Sequence, residues 1–292
     1  MSGFSAWHRV ATALLVLSVV LVVSGCKRSP KSVIPEDLNP SAIVTGQPLP
    51  TYAQVAARHN QRVAELGRVW ASTTLRIEWI EAKEHRSEQG DGNLLVIRPD
   101  RLALTVGKLG HVRLWAGMNP EVEYLFDKSG DGRVYVHRRV ANEVSGVLPA
   151  ELPVPLQPRD VPWLLGIMPL PDRGTVEGLN GYWLVEPEGL GVRLLIDPRT
   201  GSPYRIDRVG VRGQSAVIAL HRDVEPVEGV DGPTPMMARK IQLMEAGKEA
   251  RIDLVLDRLL AGEEAGDRIR SGAFDFQRLM RAHEPSEVIE VW

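Results

Sequence analysis

From Thr73 onward the apolar residues of this chain recur every second position. Leu75, Ile77 and Trp79 alternate with Arg76 and Glu78, and Leu102, Leu104 and Val106 alternate again further on. A period of two is the mark of a strand with one buried face. Val122, Tyr124 and Phe126 lead through Lys128-Ser129-Gly130-Asp131-Gly132 to Val134 and Val136, as two strands joined by a hairpin turn would. Strands are also predicted over 93–97, 112–115, 182–186, 191–196, 204–209, 215–221, 239–244, 251–259 and 287–292. Turns are expected at Gln89-Gly90-Asp91-Gly92, over 178–181, at Asp197-Pro198-Arg199-Thr200-Gly201 and over 210–213. No helical pattern long enough for a parallel crossover intervenes, so the sheet is predicted to be antiparallel.

Before residue 73 the period is 3.6. Thr51 with Gln54 makes a capping-box pattern, and Tyr52, Val55, Ala56, Val63, Leu66 and Trp70 fall largely on one side of a helix. The spacing predicts a helix from Tyr52 to Val69, packed by its apolar stripe against the sheet. The stretch 149–171 is dense in proline, and Arg159 to Gly166 reads as a short helix with Asp160 near its cap. A further short helical stretch is expected before His283.

The first fifty residues do not belong to that domain. His8 and Arg9 precede an apolar run from Val10 to Val23, which ends in Val23-Ser24-Gly25-Cys26. A charged start, an apolar middle and small residues before the cut form a secretory signal peptide. The run is too short for a comfortable spanning helix, which needs about 20 residues. The quartet Val23, Ser24, Gly25, Cys26 resembles the bacterial lipobox. That resemblance implies diacylglyceryl transfer to the Cys26 thiol and cleavage before it, giving a lipid-anchored protein facing the periplasm. Lys27 stands where an inner-membrane retention Asp would, which favours the outer membrane over the inner one. Cys26 is the only cysteine, so no intramolecular disulfide supports the fold. Residues 26–50 hold five prolines among polar residues and read as a tether. The organisation expected is therefore a signal peptide over 1–25, a tether over 26–50 and one β-rich domain over 51–292.

Formal net charge is −2, which gives no basic field for nucleic acid. The seven histidines are scattered without a ligand-like spacing, and no metal or cofactor is expected. Asp127 to Gly132 matches the first half of a calcium loop, but the position of the bidentate glutamate falls on Arg138. There is no Gly-x-Ser-x-Gly elbow and no phosphate-binding loop. Glu186 and Glu188 flank Pro187 as acids in a turn. No constellation marks an enzyme. Trp70, Trp79, Trp115, Trp163, Trp183 and Trp292 sit among apolar neighbours and are expected in a core or a cavity lining.

Three phrases carry a family resemblance: Gly92-Asn93-Leu94-Leu95-Val96-Ile97-Arg98-Pro99, then Asp197-Pro198-Arg199-Thr200-Gly201-Ser202-Pro203, then Phe274-Asp275-Phe276. With the long helix before them, they resemble the LolA/LolB-like outer-membrane lipoprotein-sorting superfamily over residues 52–292. The resemblance implies a mainly β (α+β) fold, a curved antiparallel half-barrel closed by the N-terminal helix and short middle helices. It also implies that the concave face binds acyl chains of a lipid or lipoprotein, in envelope lipid or lipoprotein trafficking. The same fold can serve instead as an interaction or sensor module for a protein partner, without lipid. Whether the concave face is open or plugged by side chains separates the two.

Overall fold

A computed structural model describes residues 48–128, 132–139, 157–210, 215–229, 234–245 and 249–291. The signal peptide, the lipobox with Cys26, most of the tether, the turn residues 129–131 and 211–214, and Trp292 lie outside the described residues.

Helix α1 spans Tyr52–Ala64. The capping box forms as expected: the Thr51 side chain accepts from the Gln54 N–H, and Gln54 Oε1 accepts from the Thr51 N–H at 2.9 Å. Its buried residues are Tyr52, Val55, Ala56, His59 and Val63. The helix ends five residues earlier than its spacing predicts, at a 3₁₀ turn over Glu65–Gly67. Strand β1 (Arg68–Glu81) then begins at once. Val69 and Ala71 are buried under α1, whereas Trp70 turns to the opposite face beneath the Arg268 guanidinium, 5.7 Å from the ring centroid.

β1 turns back through Ala82 and Lys83, both at positive φ, into β2 (Glu84–Ile97). The turn expected over 89–92 is therefore misplaced, since those residues lie inside β2. Glycine serves there for close approach. A Cβ on Gly92 would run into the Thr105 carbonyl oxygen, and one on Gly90 would lie 2.7 Å from the Gly107 carbonyl oxygen.

The chain continues through β3 (Arg101–Lys108), β4 (His111–Met118), β5 (Val122–Asp127) and β6 (Arg133–Arg138). An irregular strap over 157–171 follows. It contains a 3₁₀ turn (Pro158–Asp160) and a one-turn helix α2 (Val161–Leu164). Asp160 stands at the N-cap position of that helix, as expected, but its carboxylate pairs with Arg208 at 3.0 Å instead of accepting from a helix N–H. β7 (Gly174–Leu179) is an edge strand with four exposed residues, and nothing in its spacing announces it. β8 (Tyr182–Pro187), β9 (Val192–Ile196), β10 (Pro203–Val209), β11 (Ser215–Pro226), β12 (Met236–Glu245) and β13 (Ala250–Ala261) complete the run. Then come α3 (Gly262–Arg268), α4 (Phe276–His283) and β14 (Glu287–Glu290).

All fourteen strands form one sheet in the order β14-β6-β5-β4-β3-β2-β1-β13-β12-β11-β10-β9-β8-β7. The long ladder from Val69↔Ala261 to Trp79↔Ala250 joins the two halves of the chain at the centre. The outermost strands β14 and β7 do not meet, so the curved sheet stays unclosed. Every pairing between these strands is antiparallel except β14 with β6, which is parallel. β14 is also mostly exposed rather than an apolar final strand.

Apolar cores pack on both faces of the sheet. Its inner face packs Leu94, Leu104, Ile206 and Leu254 against α1 and the strap residues Leu164 and Ile167. On the outer face, Leu95 and Ala103 meet Phe274, and Tyr124 and Phe126 meet Phe276 and Leu279 of α4.

Candidate ligand cavity on the inner face

Beyond its 3₁₀ turn and α2 the strap crosses the inner face without regular secondary structure, so its carbonyls need other partners. Side chains from α1 and the sheet supply them. Tyr52 Oη donates to the Pro171 carbonyl at 3.0 Å. Asn60 donates to the Leu170 carbonyl at 2.9 Å and accepts from the Leu170 N–H at 2.7 Å. Arg62 donates to the carbonyls of Gly166 and Met236. Arg98 donates to the Ile167 carbonyl at 3.0 Å and the Val63 carbonyl at 2.8 Å.

Two buried histidines complete the set. His59 Nε2 lies 2.9 Å from the Met168 carbonyl, and His221 Nε2 lies 2.9 Å from the Leu164 carbonyl. A carbonyl only accepts, so Nε2 carries the hydrogen in both rings and the neutral ring leaves Nδ1 bare. His59 Nδ1 is buried without a partner. Burial, and then the nearby Arg62 cation, push His59 down to about 3. Burial pushes His221 down to about 4, with Arg62 adding to the effect. Arg62 itself is lowered to about 10 by burial.

At one edge of the strap, Glu123 is buried on the inner face with Arg159 Nε at 2.7 Å. Burial raises the Glu123 carboxyl, and Arg159 opposes that rise. Burial likewise raises Asp160, opposed first by Arg208. These pairs fasten the strap to both wings of the sheet.

Beneath α2 the core is nearly full. A residual space of about 20 Å³ remains among Leu75, Leu94, Leu104, Leu164, Ile241 and Leu254. Beyond the strap, toward the β1–β2 and β3–β4 turns, the inner face is left open. There a cavity of about 520 Å³ is floored by Leu75, Ile77, Trp79, Val106 and Leu114. Glu81, Glu88, Lys108, Arg113 and Asp127 stand around it. Leu75 belongs to both spaces, so the cavity runs on directly from the apolar core. Its size is that of a small-ligand pocket, for which about 300–1,000 Å³ is usual.

The β3–β4 hairpin stands at the rim of this cavity. Its two-residue turn, Leu109 and Gly110, has positive φ at both positions. Leu109 is 92% exposed, and the turn is flanked by Lys108 and His111.

Of the tryptophans expected in a core or lining, Trp79 floors the cavity and Trp163 packs partly buried on the inner core. Trp183 is buried under the Arg58 guanidinium, while Trp70 and Trp115 serve the outer face. Asp127 and Gly132 flank an antiparallel hairpin between β5 and β6, not the helices of a calcium loop. Glu186 pairs with Arg193 at 2.5 Å. Among the described residues no group of three or more His, Cys, Asp or Glu is placed to hold a metal, and no helix is long and apolar enough to cross a membrane. Sequence reasoning missed His59, Arg62, Arg98 and His221. His59 and His221 gave one signal, a polar residue on an apolar face, whereas Arg62 reads as part of the polar side of the helix and Arg98 as a turn residue.

No family model matches the chain, and no curated protein matches its sequence. Among solved structures, a domain described as that of an outer membrane lipoprotein-sorting protein from Vibrio parahaemolyticus superposes with a TM-score of 0.51. It shares 11% identity, over 78% of this chain and 97% of that one. A LolA superfamily protein from Nitrosomonas europaea gives a TM-score of 0.46 at 10% identity, over 72% of this chain and 93% of that one, a likeness too distant to carry an argument. At these identities similarity speaks for the fold alone. The chain shares the fold of that Vibrio domain, an open, curved, mainly antiparallel sheet.

Proposed function

We propose that this chain is a lipid-anchored envelope protein, tethered through Cys26 and facing the periplasm, that holds acyl chains of a lipid or lipoprotein in the inner-face cavity. The observation that carries the reading is the cavity of about 520 Å³ floored by Leu75, Ile77, Trp79, Val106 and Leu114. An apolar floor open to solvent on one side offers a place for a chain that water rejects. Each methylene buried there contributes about 0.8 kcal/mol, so burying about ten offsets the entropy of capture and gives micromolar affinity or tighter. Release needs no covalent step, only a membrane or a deeper cavity to receive the chain. The exposed Leu109 beside the cavity suits the hairpin to touch a lipid surface. The lipobox supports an anchor on the same membrane system, with the outer membrane favoured.

Two experiments test the reading. Cys26→Ser is expected to abolish metabolic palmitate labelling and to release the protein from the membrane fraction. Labelling and retention that persist would contradict the anchor. The chain lacking residues 1–25 and carrying that substitution is expected to co-purify with lipid and, once delipidated, to bind a fluorescent fatty acid saturably. A protein-partner module without lipid would instead recover envelope proteins on crosslinking and carry no lipid.

A further inference from the structure

The hairpin of β7 and β8 shows which backbone groups face its open edge. Its two-residue turn, Asn180 and Gly181, has positive φ at both positions. Such a turn makes the flanking pair, Leu179 and Tyr182, a hydrogen-bonded one, and bonded and non-bonded pairs then alternate down the ladder. Glu177 and Thr175 are therefore bonded to β8. The Glu188 N–H donates to the Arg173 carbonyl at 3.0 Å, which continues the same phase. Pro187, which has no N–H, falls on a non-bonded position opposite Gly174. Gly174, Val176 and Gly178 consequently aim N–H and C=O away from the sheet, and no strand pairs with them among the described residues. Such a row is a template for another strand, and β7 carries no lysine, proline or bulge to discourage one.

The side chains of this edge complement themselves. Turned about a two-fold axis through Val176, a second β7 runs antiparallel to the first. Val176 then stands opposite Val176, Gly174 opposite Gly178, and Thr175 opposite Glu177, so no like charges meet head-on. Glu177 lies diagonal to Arg173 of the second copy, within reach of long side chains. Both residues are exposed, and neither has an ion-pair partner among the described residues. On the inner face, a Cβ on Gly174 would run into the Tyr52 ring, and Leu49 Cδ1 lies 4.0 Å from the place of a Cβ on Gly178. Since Gly178 faces Gly174 of the second copy, Leu49 of each chain meets Tyr52 of the other. Of the four large apolar side chains left exposed among the described residues, two, Leu49 and Leu179, stand at this edge, and the pairing covers them.

We propose that β7 pairs antiparallel with β7 of a second copy of this chain, joining two curved sheets into one across a two-fold axis at Val176. The contact uses the same patch on both copies, so it closes as a dimer. It goes beyond the acyl-binding reading and does not rest on it.

The test uses the full chain in the cells that make it. In a hydrogen-bonded antiparallel pair the Cα atoms lie about 5.5 Å apart, within the range of a disulfide. Val176→Cys, oxidised with copper phenanthroline, is therefore expected to give a disulfide-linked dimer. The original chain, with Cys26 alone, and Val288→Cys on the far edge strand β14, 51% exposed, are expected to stay unlinked. Adding Glu177→Arg to Val176→Cys sets arginines against each other and is expected to lower the linked fraction about fivefold. Adding Arg173→Glu as well restores it, which a loss of folding would not allow. Equal linking through Val288→Cys, or linking that Glu177→Arg leaves unchanged, overturns the pairing. A linked product of any mass other than two chains also overturns it, because the edge would then receive a different protein. The unsubstituted full chain, sedimented in a density-matched non-ionic detergent, is expected at the mass of two chains, and the mass of one chain overturns the proposal independently of any substitution.

Discussion

Thr73 faces the apolar inner side of β1, opposite Leu256 and next to a register shift, and its hydroxyl is buried without a hydrogen-bond partner. A buried unpaired hydroxyl costs about 1–3 kcal/mol. Thr73→Val keeps the shape and removes the polar group. It is expected to raise stability by about 1 kcal/mol, read as a higher urea midpoint with an unchanged slope. A lowered midpoint would mean that the hydroxyl is bonded in solution. Arg62 is the opposite case. Its guanidinium is buried and holds carbonyls of two separate segments, Gly166 in the strap and Met236 in β12. Arg62→Met keeps much of the packing but strips both carbonyls of a donor, and a loss of about 2–4 kcal/mol is expected.

The strap is the element on which pH acts. His59 and His221 are held neutral by burial beside Arg62 and Arg98, with folded values near 3 and 4. Unfolded imidazoles titrate near 6.5, so below that pH the unfolded chain binds protons that the folded chain refuses. Stability therefore falls as pH falls from about 6.5 toward 4, by at most about 1.4 kcal/mol per pH unit for each ring. The buried carboxyls Glu123 and Asp160, both raised by burial, act in the opposite sense. The urea midpoint measured from pH 7 to 4 is expected to drop, and His59→Gln with His221→Gln to flatten the drop. An equal drop in the double variant would place the acid-sensitive groups elsewhere.

Elements differ in how plainly the sequence announces them. The alternation in β1, β3 and β5 and the capping box of α1 are local signals, and the structure keeps them. Leu66, Val69 and Trp70 fit a helix stripe and a strand equally well, and only the core decides that β1 starts at Arg68. Gly90 and Gly92 resemble a turn because glycine serves tight turns and close strand approach alike. β7 escapes because an exposed edge strand has no buried face to impose a period. The strap contacts join residues about a hundred positions apart, such as His59 and Met168, and no local pattern encodes them. The cavity floor depends on the same long-range register, including the shift between Val106 and Gly107 in β3.

At the scale of the whole molecule, an unclosed sheet keeps one inner face that α1 and the strap cover only in part. The covered portion is core, and the uncovered portion is the cavity between the β1–β2 and β3–β4 hairpins. That division is the central claim, and occupancy of the cavity is its consequence. Leu114 lies on the cavity floor and is only partly buried, so Leu114→Trp fills the space without opening the core. The decisive measurement is saturable binding of a fluorescent fatty acid to the delipidated protein and to this variant, with circular dichroism and the urea midpoint recorded on both. The account predicts about one ligand per chain in the original protein, and binding weakened at least tenfold in a variant whose fold is intact. Undiminished binding to the folded variant, or no saturable binding to the original protein, would contradict it.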